Sequence, residues 1–429
     1  MLIKDYLTKL LGIQGFSDEV RSLGKIVGLE ISTYKKQPAV ILDIERREKR
    51  YICSVCKKEF KAAYDSSFQK VQHLRLWEYI TFLRFRKYRV NCPKCGIKTE
   101  YLPFIADNHR ITRSLAITTY ELCKVMTVKA VSIFQGLHRE TVKMIDKDFM
   151  KIGKDSRKLR EIKTIGIDEI SVGKRHKYWH LISSIGKKGE GEVIYVGEGR
   201  SAKDVEKFWK WFGKERVKKI EYGIMDMWKG FINSFRRHCP QAKIIFDKFH
   251  IIRHLLEALN KVRKQELKKS NQRLKNKLSG KKFILLSRLA NLRGRSRESL
   301  KELLSYSSRL FKAYFLKEIF PKLWKYKSKT WALKFWNNWK NSLKWSRLRP
   351  YRAFAKMIDN HIDGILGYIE CPVSLGFIEA TNLKARNIIR RAYGYRDKEY
   401  MQLKIIQLCS SSLSKFQPWH VASTHYNSS

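Results

Sequence analysis

A multidomain chain is the architecture this sequence predicts: an α/β core carrying a large α-helical insertion, preceded by a small metal-binding module and a helix-turn-helix. Three observations predict it. Two CxxC pairs stand at 53–56 and 92–95. From residue 161 the apolar runs follow one another as three strands, a helix, a strand, a helix, a strand and a helix. From 251 to 350 the runs become helical and basic, with 28 Lys+Arg against 5 Asp+Glu. At 429 residues the chain is long for one core, and its 43% hydrophobic content is ample for several.

Charge bounds the partners. Lys and Arg number 90 against 40 Asp and Glu, a formal +50. A field of that size seeks a polyanion, and nucleic acid is the commonest. A cationic surface protein and a binder of anionic membranes are the alternatives. No uninterrupted apolar run approaches the roughly 20 residues of a spanning helix. The N-terminal MLIKDYLTKLLGIQGF is broken by Lys4, Asp5 and Lys9 and lacks a signal-peptide core. DNA as partner, no membrane, and a cytoplasmic, nucleoid-associated location are the expectations.

After an N-terminal region (1–50), residues 51–104 read as a zinc-binding module. Cys53, Cys56, Cys92 and Cys95 offer four thiolates, each pair chelating from a tight turn, with Gly96 suited to the second turn. The second pair begins 36 residues after the first ends, longer than in compact fingers. The other four cysteines are scattered singly, which suits structural zinc in a reducing compartment better than a disulfide framework. Between the pairs, LRLWEYITFLRFRKYRV alternates apolar and basic residues as strands do.

Residues 105–155 read as a helix-turn-helix DNA-binding domain. In MTVKAVSIFQGLHRETVKMIDKDF, Gly136 takes a left-handed turn and Leu137, Val142 and Ile145 face the first helix. Arg139, Lys143 and Lys147 are then left outward to meet DNA. An ordinary αα-hairpin has the same periodicity.

In the core (160–250), the strands are TIGIDEISV, YWHLISSI, EVIYVGEG, KIEYGIMD and AKIIFDKF. Three antiparallel strands followed by two helix-linked strands give the outline of the ribonuclease H fold. Asp168 then sits in the first strand and Asp226 ends the fourth, side by side. Two facing carboxylates repel unless protonated or bridged by cations. Mg²⁺ (or Mn²⁺) suits such hard oxygens, and two ions can serve phosphodiester chemistry. Taken singly, an Asp at a strand end is more often a cap or turn residue. Glu169 competes with Asp168, but adjacent strand residues face opposite sides, so one of them enters the site.

The basic segment belongs to an insertion domain (251–370) in which Trp324, Trp331, Trp336, Trp339 and Trp345 are interleaved with Lys and Arg. Tryptophans either anchor a helical bundle or stack on unpaired bases, and core packing is the commoner fate. Residues 371–400 return to the core as an acidic helix, and 401–429 form a C-terminal helix and tail. In that helix Glu379 supplies a third acid. Asn382, Arg386 and Arg390 follow at helical spacing, a row able to hold a DNA backbone. Alone, Glu379 would be a solvated helix acid.

Together the paired CxxC module ending in NCPKCGIKTEYLPF, the helix-turn-helix, GIDEIS, IMDMWKGF, FDKFHIIR and IEATNLKARNIIRRAYGYRD resemble the DDE transposases of bacterial insertion sequences, specifically the ISL-three class. The resemblance covers nearly the whole chain. It implies a catalytic triad of Asp168, Asp226 and Glu379, and an insertion between the last core strand and the acidic helix. It also implies that Asp247 and His250 form the Asp-x-x-His motif of related enzymes, supporting the metal site or touching DNA; a lone histidine is more often structural. One departure is Ala380, where the related pattern carries glycine. The function implied is binding of element-end DNA by a homodimer or higher oligomer, then metal-dependent hydrolysis and strand transfer into target DNA. A catalytically inactive DNA-binding regulator on the same scaffold is the alternative, and a structure-directed nuclease a third.

Overall fold

The computed structural model describes residues 25–418, apart from 47–48, 107–109, 160, 174–176, 187–189, 270–271, 273–274, 276–278, 372–375, 393–394 and 417. The stretch before 25, the tail after 418 and part of the AYGYRD motif therefore lie outside the described residues. The chain divides into two compact units, residues 1–157 with 412–429, and residues 158–411. Mixed α/β structure with many helices is what the sequence led one to expect.

In the first unit the strands are β1 (Lys25–Tyr34), β2 (Gln37–Glu45), β3 (Tyr51–Ile52), β4 (Glu59–Phe60), β5 (Asp65–Leu76), β6 (Tyr79–Cys92) and β7 (Gly96–Thr99). The main sheet runs β1-β2-β6-β5, with β7 also paired to β6. All its pairings are antiparallel except that of β2 with β6. Residues 25–45, for which sequence reasoning predicts no element, thus share a sheet with the strands between the cysteine pairs. Val40, Leu42, Val71, Leu83 and Phe85 form its core, drawn from alternate strand positions as the pleat requires.

Three helices follow: α1 (Arg113–Val125), α2 (Val128–Gln135) and α3 (Arg139–Ser156). Thr112 and Thr127 cap the first two, each hydroxyl accepting a backbone N–H, from Leu115 at 3.3 Å and Ala130 at 3.2 Å. Gly136 ends α2 at φ +68°, and a Cβ there would stand 2.5 Å from the Ile80 Cδ1. Both conformation and space therefore demand glycine. Leu137, Val142 and Ile145 pack with Leu115 and Val131 beneath the turn. Near the C-terminus, the Phe416 carbonyl accepts from Lys124 Nζ at 2.8 Å and its ring meets Tyr120.

The second unit carries β8 (Thr164–Gly173), β9 (Lys177–Ile185), β10 (Gly191–Glu198), β11 (Tyr222–Met225) and β12 (Lys243–Phe246) in the order β10-β9-β8-β11-β12. The first three are antiparallel neighbours, while β11 runs parallel to both β8 and β12. Helices α4 (Ala202–Phe212) and α5 (Lys229–His238) make the crossovers, and α6 (Lys248–Lys269) leaves β12. Ser201 and Asp204 cap α4 reciprocally. Ile165, Ile167, Phe208, Phe212, Phe231 and Phe235 belong to one apolar core. That core continues without a break into α7 (Gly294–Ser305), α8 (Ser308–Ile319), α9 (Lys329–Asn341) and α10 (Arg349–Asp359). Then come α11 (Ile362–Glu370), α12 (Gly376–Arg391) and α13 (Lys398–Cys409).

The tryptophans divide. Trp336 and Trp339 stack at 5.2 Å inside the core, their N–H groups donating to Asp359 and the Leu316 carbonyl. Trp324 is half-buried, whereas Trp331 and Trp345 are exposed. Among the described residues no helix is long and apolar enough to cross a membrane.

One buried histidine gives the first unit a predictable acid limit. His73 on β5 is 3% exposed, its Nδ1 is 2.8 Å from the Thr112 hydroxyl, and burial pushes its pKa down to about 3. An unfolded chain takes that proton near pH 6.5, so the unfolded state binds more protons throughout this window. The contribution is intact above about pH 6.5 and is lost toward pH 3, at up to about 1.4 kcal/mol per pH unit. Urea midpoints measured from pH 7 to pH 4 are expected to fall more steeply for wild type than for His73→Gln. Parallel lines for the two proteins would remove His73 as the cause.

Candidate functional site

Strand β8 presents alternate residues to opposite sides. Ile165 and Ile167 enter the large core, while Gly166 faces α12, where a Cβ would meet Ile378 Cδ1 at 3.0 Å and Ile185 Cδ1 at 2.9 Å. Asp168 has the same parity as Gly166 and is 8% exposed. One oxygen accepts the Glu169 backbone N–H at 2.7 Å, and the other accepts the Asn382 side-chain amide of α12. Burial is the largest influence on this carboxyl and the nearby Asp226 charge adds to it, so its pKa is pushed up to about 6.

Asp226 follows the last residue of β11, which pairs in parallel with β8. Its carboxylate accepts the Trp228 N–H at 2.9 Å, turning the chain into α5. One strand further on, Asp247 repeats the device: its N–H donates to the Met225 carbonyl and its carboxylate accepts the Phe249 N–H at 2.8 Å. Its other oxygen meets His250 Nδ1 at 3.0 Å. Burial alone would lower the His250 imidazole. The Asp247 hydrogen bond and the charges of Asp168, Asp247 and Asp226 outweigh it and raise the pKa. Three neighbouring strands therefore deliver three carboxylates to one end of the sheet, with one imidazole among them.

Glu379 enters differently. It is exposed in the first turn of α12, three residues before Asn382, and among the described residues it does not close with the aspartates into a tight ligand cluster. Asn382, expected in a DNA-facing row, is buried with its amide spent on Asp168, because its turn of α12 lies against β8. Arg386 and Arg390 are exposed on the same helix. Glu169, the competitor of Asp168, points away from that oxygen cluster and pairs with Arg200 at 3.2 Å.

Sequence reasoning missed the group around Arg200. Its guanidinium lies 4.2 Å from the Tyr178 ring centre and 4.3 Å from that of Trp228, and its carbonyl accepts the Trp228 indole N–H at 3.0 Å. The only trace in the sequence is Trp228 two places after Asp226. These four side chains (Glu169, Tyr178, Arg200 and Trp228), from two strands and two loops, brace the chain on which Asp226 sits.

In the first unit the four cysteine sulfurs all lie within 4.8 Å of one another. Cys53 and Cys56 occupy the β3–β4 turn, closed by Cys53 N–H to the Lys58 carbonyl at 2.9 Å. Cys92 and Cys95 occupy the β6–β7 turn, closed by Cys95 N–H to the Cys92 carbonyl at 3.2 Å, with Gly96 at φ +73°. The long gap between the pairs is the β5–β6 hairpin. Four converging thiols at two tight turns have the donor set and geometry of a structural zinc module. Arg139 of α3 is exposed, and Lys143 and Lys147 are half-buried.

Close approach of α12 to β8 makes Gly166 a sensitive position. Gly166→Val is expected to cost about 1–3 kcal/mol in denaturant unfolding through overpacking against Ile378 and Ile185. The same change should displace Asn382 from Asp168. Unfolding indistinguishable from wild type would show that α12 does not depend on that contact.

In sequence the chain is similar to known transposases. The chain is 27% identical over 410 residues to the transposase for insertion sequence element IS1001 of Bordetella parapertussis, covering 94% of this chain and 98% of that one. It is 23% identical over 380 residues to the transposase for insertion sequence element IS1557 of Mycobacterium tuberculosis, covering 80% and 83%. The ISL3 transposase family matches residues 165–405, the stretch that contains the five-stranded sheet, the helical segment and α12. With the match spanning more than half its length, the chain belongs to the ISL3 class of DDE transposases.

Proposed function

We propose that this chain mobilises an insertion sequence, cutting element-end DNA and joining it to a target through metal-dependent phosphodiester chemistry. The observation that carries the reading is that Asp168 and Asp226 each follow a paired residue, Ile167 and Met225, of two adjacent parallel strands, with α12 bonded to Asp168 through Asn382. In this reading the five-stranded sheet is a ribonuclease H-like core (160–250), and Asp168, Asp226 and Glu379 are its catalytic acids.

Hard carboxylate oxygens suit Mg²⁺ or Mn²⁺, and at Asp168 burial holds the pKa up to about 6, so a bound cation would be favoured over a bare charge. Two such ions, when bound, activate the attacking oxygen and stabilise the leaving one. The chain's own residues do the positioning. Asn382 holds one Asp168 oxygen and the Glu169 N–H holds the other, which fixes the carboxylate's orientation. Asp247 fixes His250 beside the aspartates, and the surrounding carboxylates raise its pKa, which favours the charged form and with it a phosphate. Glu379, exposed one turn before Asn382, is the third acid in this reading. Water attacks a phosphodiester to free a 3′ hydroxyl, which then attacks target DNA with no covalent protein–DNA intermediate.

The other parts bind DNA. Helices α2 and α3 act as a helix-turn-helix, with Arg139, Lys143 and Lys147 toward the duplex. Arg386 and Arg390 line the approach to the acids, and the basic helices of 251–370 hold the backbone as an insertion domain. Zinc on Cys53, Cys56, Cys92 and Cys95 ties the two turns of the first unit together. Two or more copies pair the element ends.

Nicking of plasmid DNA carrying the native flanks, with Mg²⁺ or Mn²⁺, tests the acids. Cleavage should need metal and fall at least about 1000-fold in Asp226→Ala while DNA binding persists. Equal cutting by both proteins would place the activity elsewhere. Tight binding of the flanks with no cutting by wild type would favour a DNA-binding regulator instead. A second measurement concerns zinc: elemental analysis should give one zinc per chain, lost in Cys92→Ser together with cooperative melting of the first unit. A zinc-free wild type that melts cooperatively would overturn that assignment.

A further inference from the structure

Trp345 sits in the turn that joins α9 to α10 and is 92% exposed, far more than Trp331 at 59%. An indole left this open forgoes the stabilisation of burial, so its position calls for a cause. A slack loop is not that cause. On either side, Leu343, Ser346 and Leu348 are buried. Ser342 Oγ donates to the Trp339 carbonyl at 2.6 Å, and Ser346 Oγ to the Leu343 carbonyl at 2.9 Å. Arg352 holds the Lys344 carbonyl at 2.6 Å, and Arg309 of α8 holds the Arg347 carbonyl at 3.0 Å. Arg347 itself sits at φ +51°, a left-handed conformation that a side chain adopts only when its surroundings enforce it. The turn is built, and what it displays is one indole.

The surroundings of that indole are cationic. Lys344, Arg347, Arg349 and Arg352 are all exposed, and residues 344–352 contain no acid. An aromatic face framed by Lys and Arg is the chemistry of a platform for a nucleic-acid base: the ring stacks on the base and the cations take the flanking phosphates. A second copy of this chain fits poorly, since it brings the same cationic turn and a formal +50. Duplex bases are already stacked and offer no free face, so the occupant is an unpaired one.

We propose that Trp345 is a stacking platform for an unpaired base, with Lys344, Arg347 and Arg349 holding the adjoining phosphates. The proposal rests on the DNA-cleaving reading above, because strand cutting and joining is where unpaired bases arise. It adds a contact to DNA remote in sequence from the three acids.

Full-length wild type, Trp345→Ala and Trp345→Phe would be titrated with a short duplex and with the same duplex carrying an unpaired thymine overhang. For Trp345→Ala, affinity for the overhang DNA should drop about 5- to 100-fold, with duplex affinity unchanged. Trp345→Phe should restore most of the loss. The slope of affinity against salt should stay at the wild-type value, since no phosphate contact is removed. An indole this exposed can be removed without unfolding, and an unchanged Tm confirms it. Equal losses on both DNAs, or none on either, would overturn the platform while leaving DNA binding standing. If instead the variant loses self-association in sedimentation, the indole is an interface between copies. A wild type that binds neither DNA would overturn both this proposal and the reading it rests on.

Discussion

The desolvated carboxyl of Asp168 is the constraint around which the second unit is organised. A carboxylate at 8% exposure loses most of its hydration, and an uncompensated charge there would cost several kcal/mol. Its compensation comes from three places in the chain. One is its own neighbour's N–H, one is the His250 charge at the head of α6, and one is the Asn382 amide on α12. The last requires a helix to lie close on β8, which requires a residue without a side chain at Gly166. It also requires the chain to return to the sheet after the whole helical segment. That return is stabilised independently by the Ile185, Ile224, Ile245 and Ile378 cluster on the same side of the sheet. Apolar packing therefore sets the helix down, and the polar contact fixes what it presents.

The same logic separates the two neighbours on β8. Asp168 and Glu169 differ by one residue and so by one face. Glu169 is satisfied by Arg200, itself held between two aromatic rings, and so is committed to an ion pair. Among the described residues Asp168 has no salt bridge: it accepts two N–H groups, with the His250 imidazole nearby. Under the proposed function, that is a carboxylate left available to a metal ion. Amide donors orient a carboxylate without neutralising it, whereas an arginine in ion-pair contact would have neutralised it.

Much of this was legible in the sequence, and the exceptions have physical causes. The strands from 164 to 246 read correctly because each is a short apolar run ended by a polar or glycine residue. The turn at Gly136 and the cysteine pairs read correctly because their chemistry admits few other uses. Strands β1 and β2 were not read: β1 lies at the sheet edge with Val27, Leu29 and Ile31 exposed, so its pattern carries no clear buried face. Arg200 could not be read, because its partners come from positions 169, 178 and 228 and meet only through the fold. For α12 the spacing correctly put Glu379, Asn382, Arg386 and Arg390 in successive turns. Spacing alone does not say which turn faces the sheet, and that is how Asn382 came to be buried while the others remain exposed.

The tryptophans of the helical segment show why residue type alone decides little. Trp336 and Trp339 stand three apart on α9 and point into a core where Phe320, Tyr351 and Phe354 already meet. Their indole N–H groups find Asp359 and a backbone carbonyl, so burial leaves no donor unsatisfied. Trp345 comes only six residues after Trp339, yet in that interval the helix ends, and with it the periodicity that would have turned the ring inward. The turn spends its buried positions on Leu343, Ser346 and Leu348, and the ring is left on the outer side among lysine and arginine. A bundle needing another core anchor would gain it by extending α9 one more turn. That the helix stops short, and that hydrogen bonds then rigidify the exposed turn, is what separates a displayed tryptophan from a misplaced one.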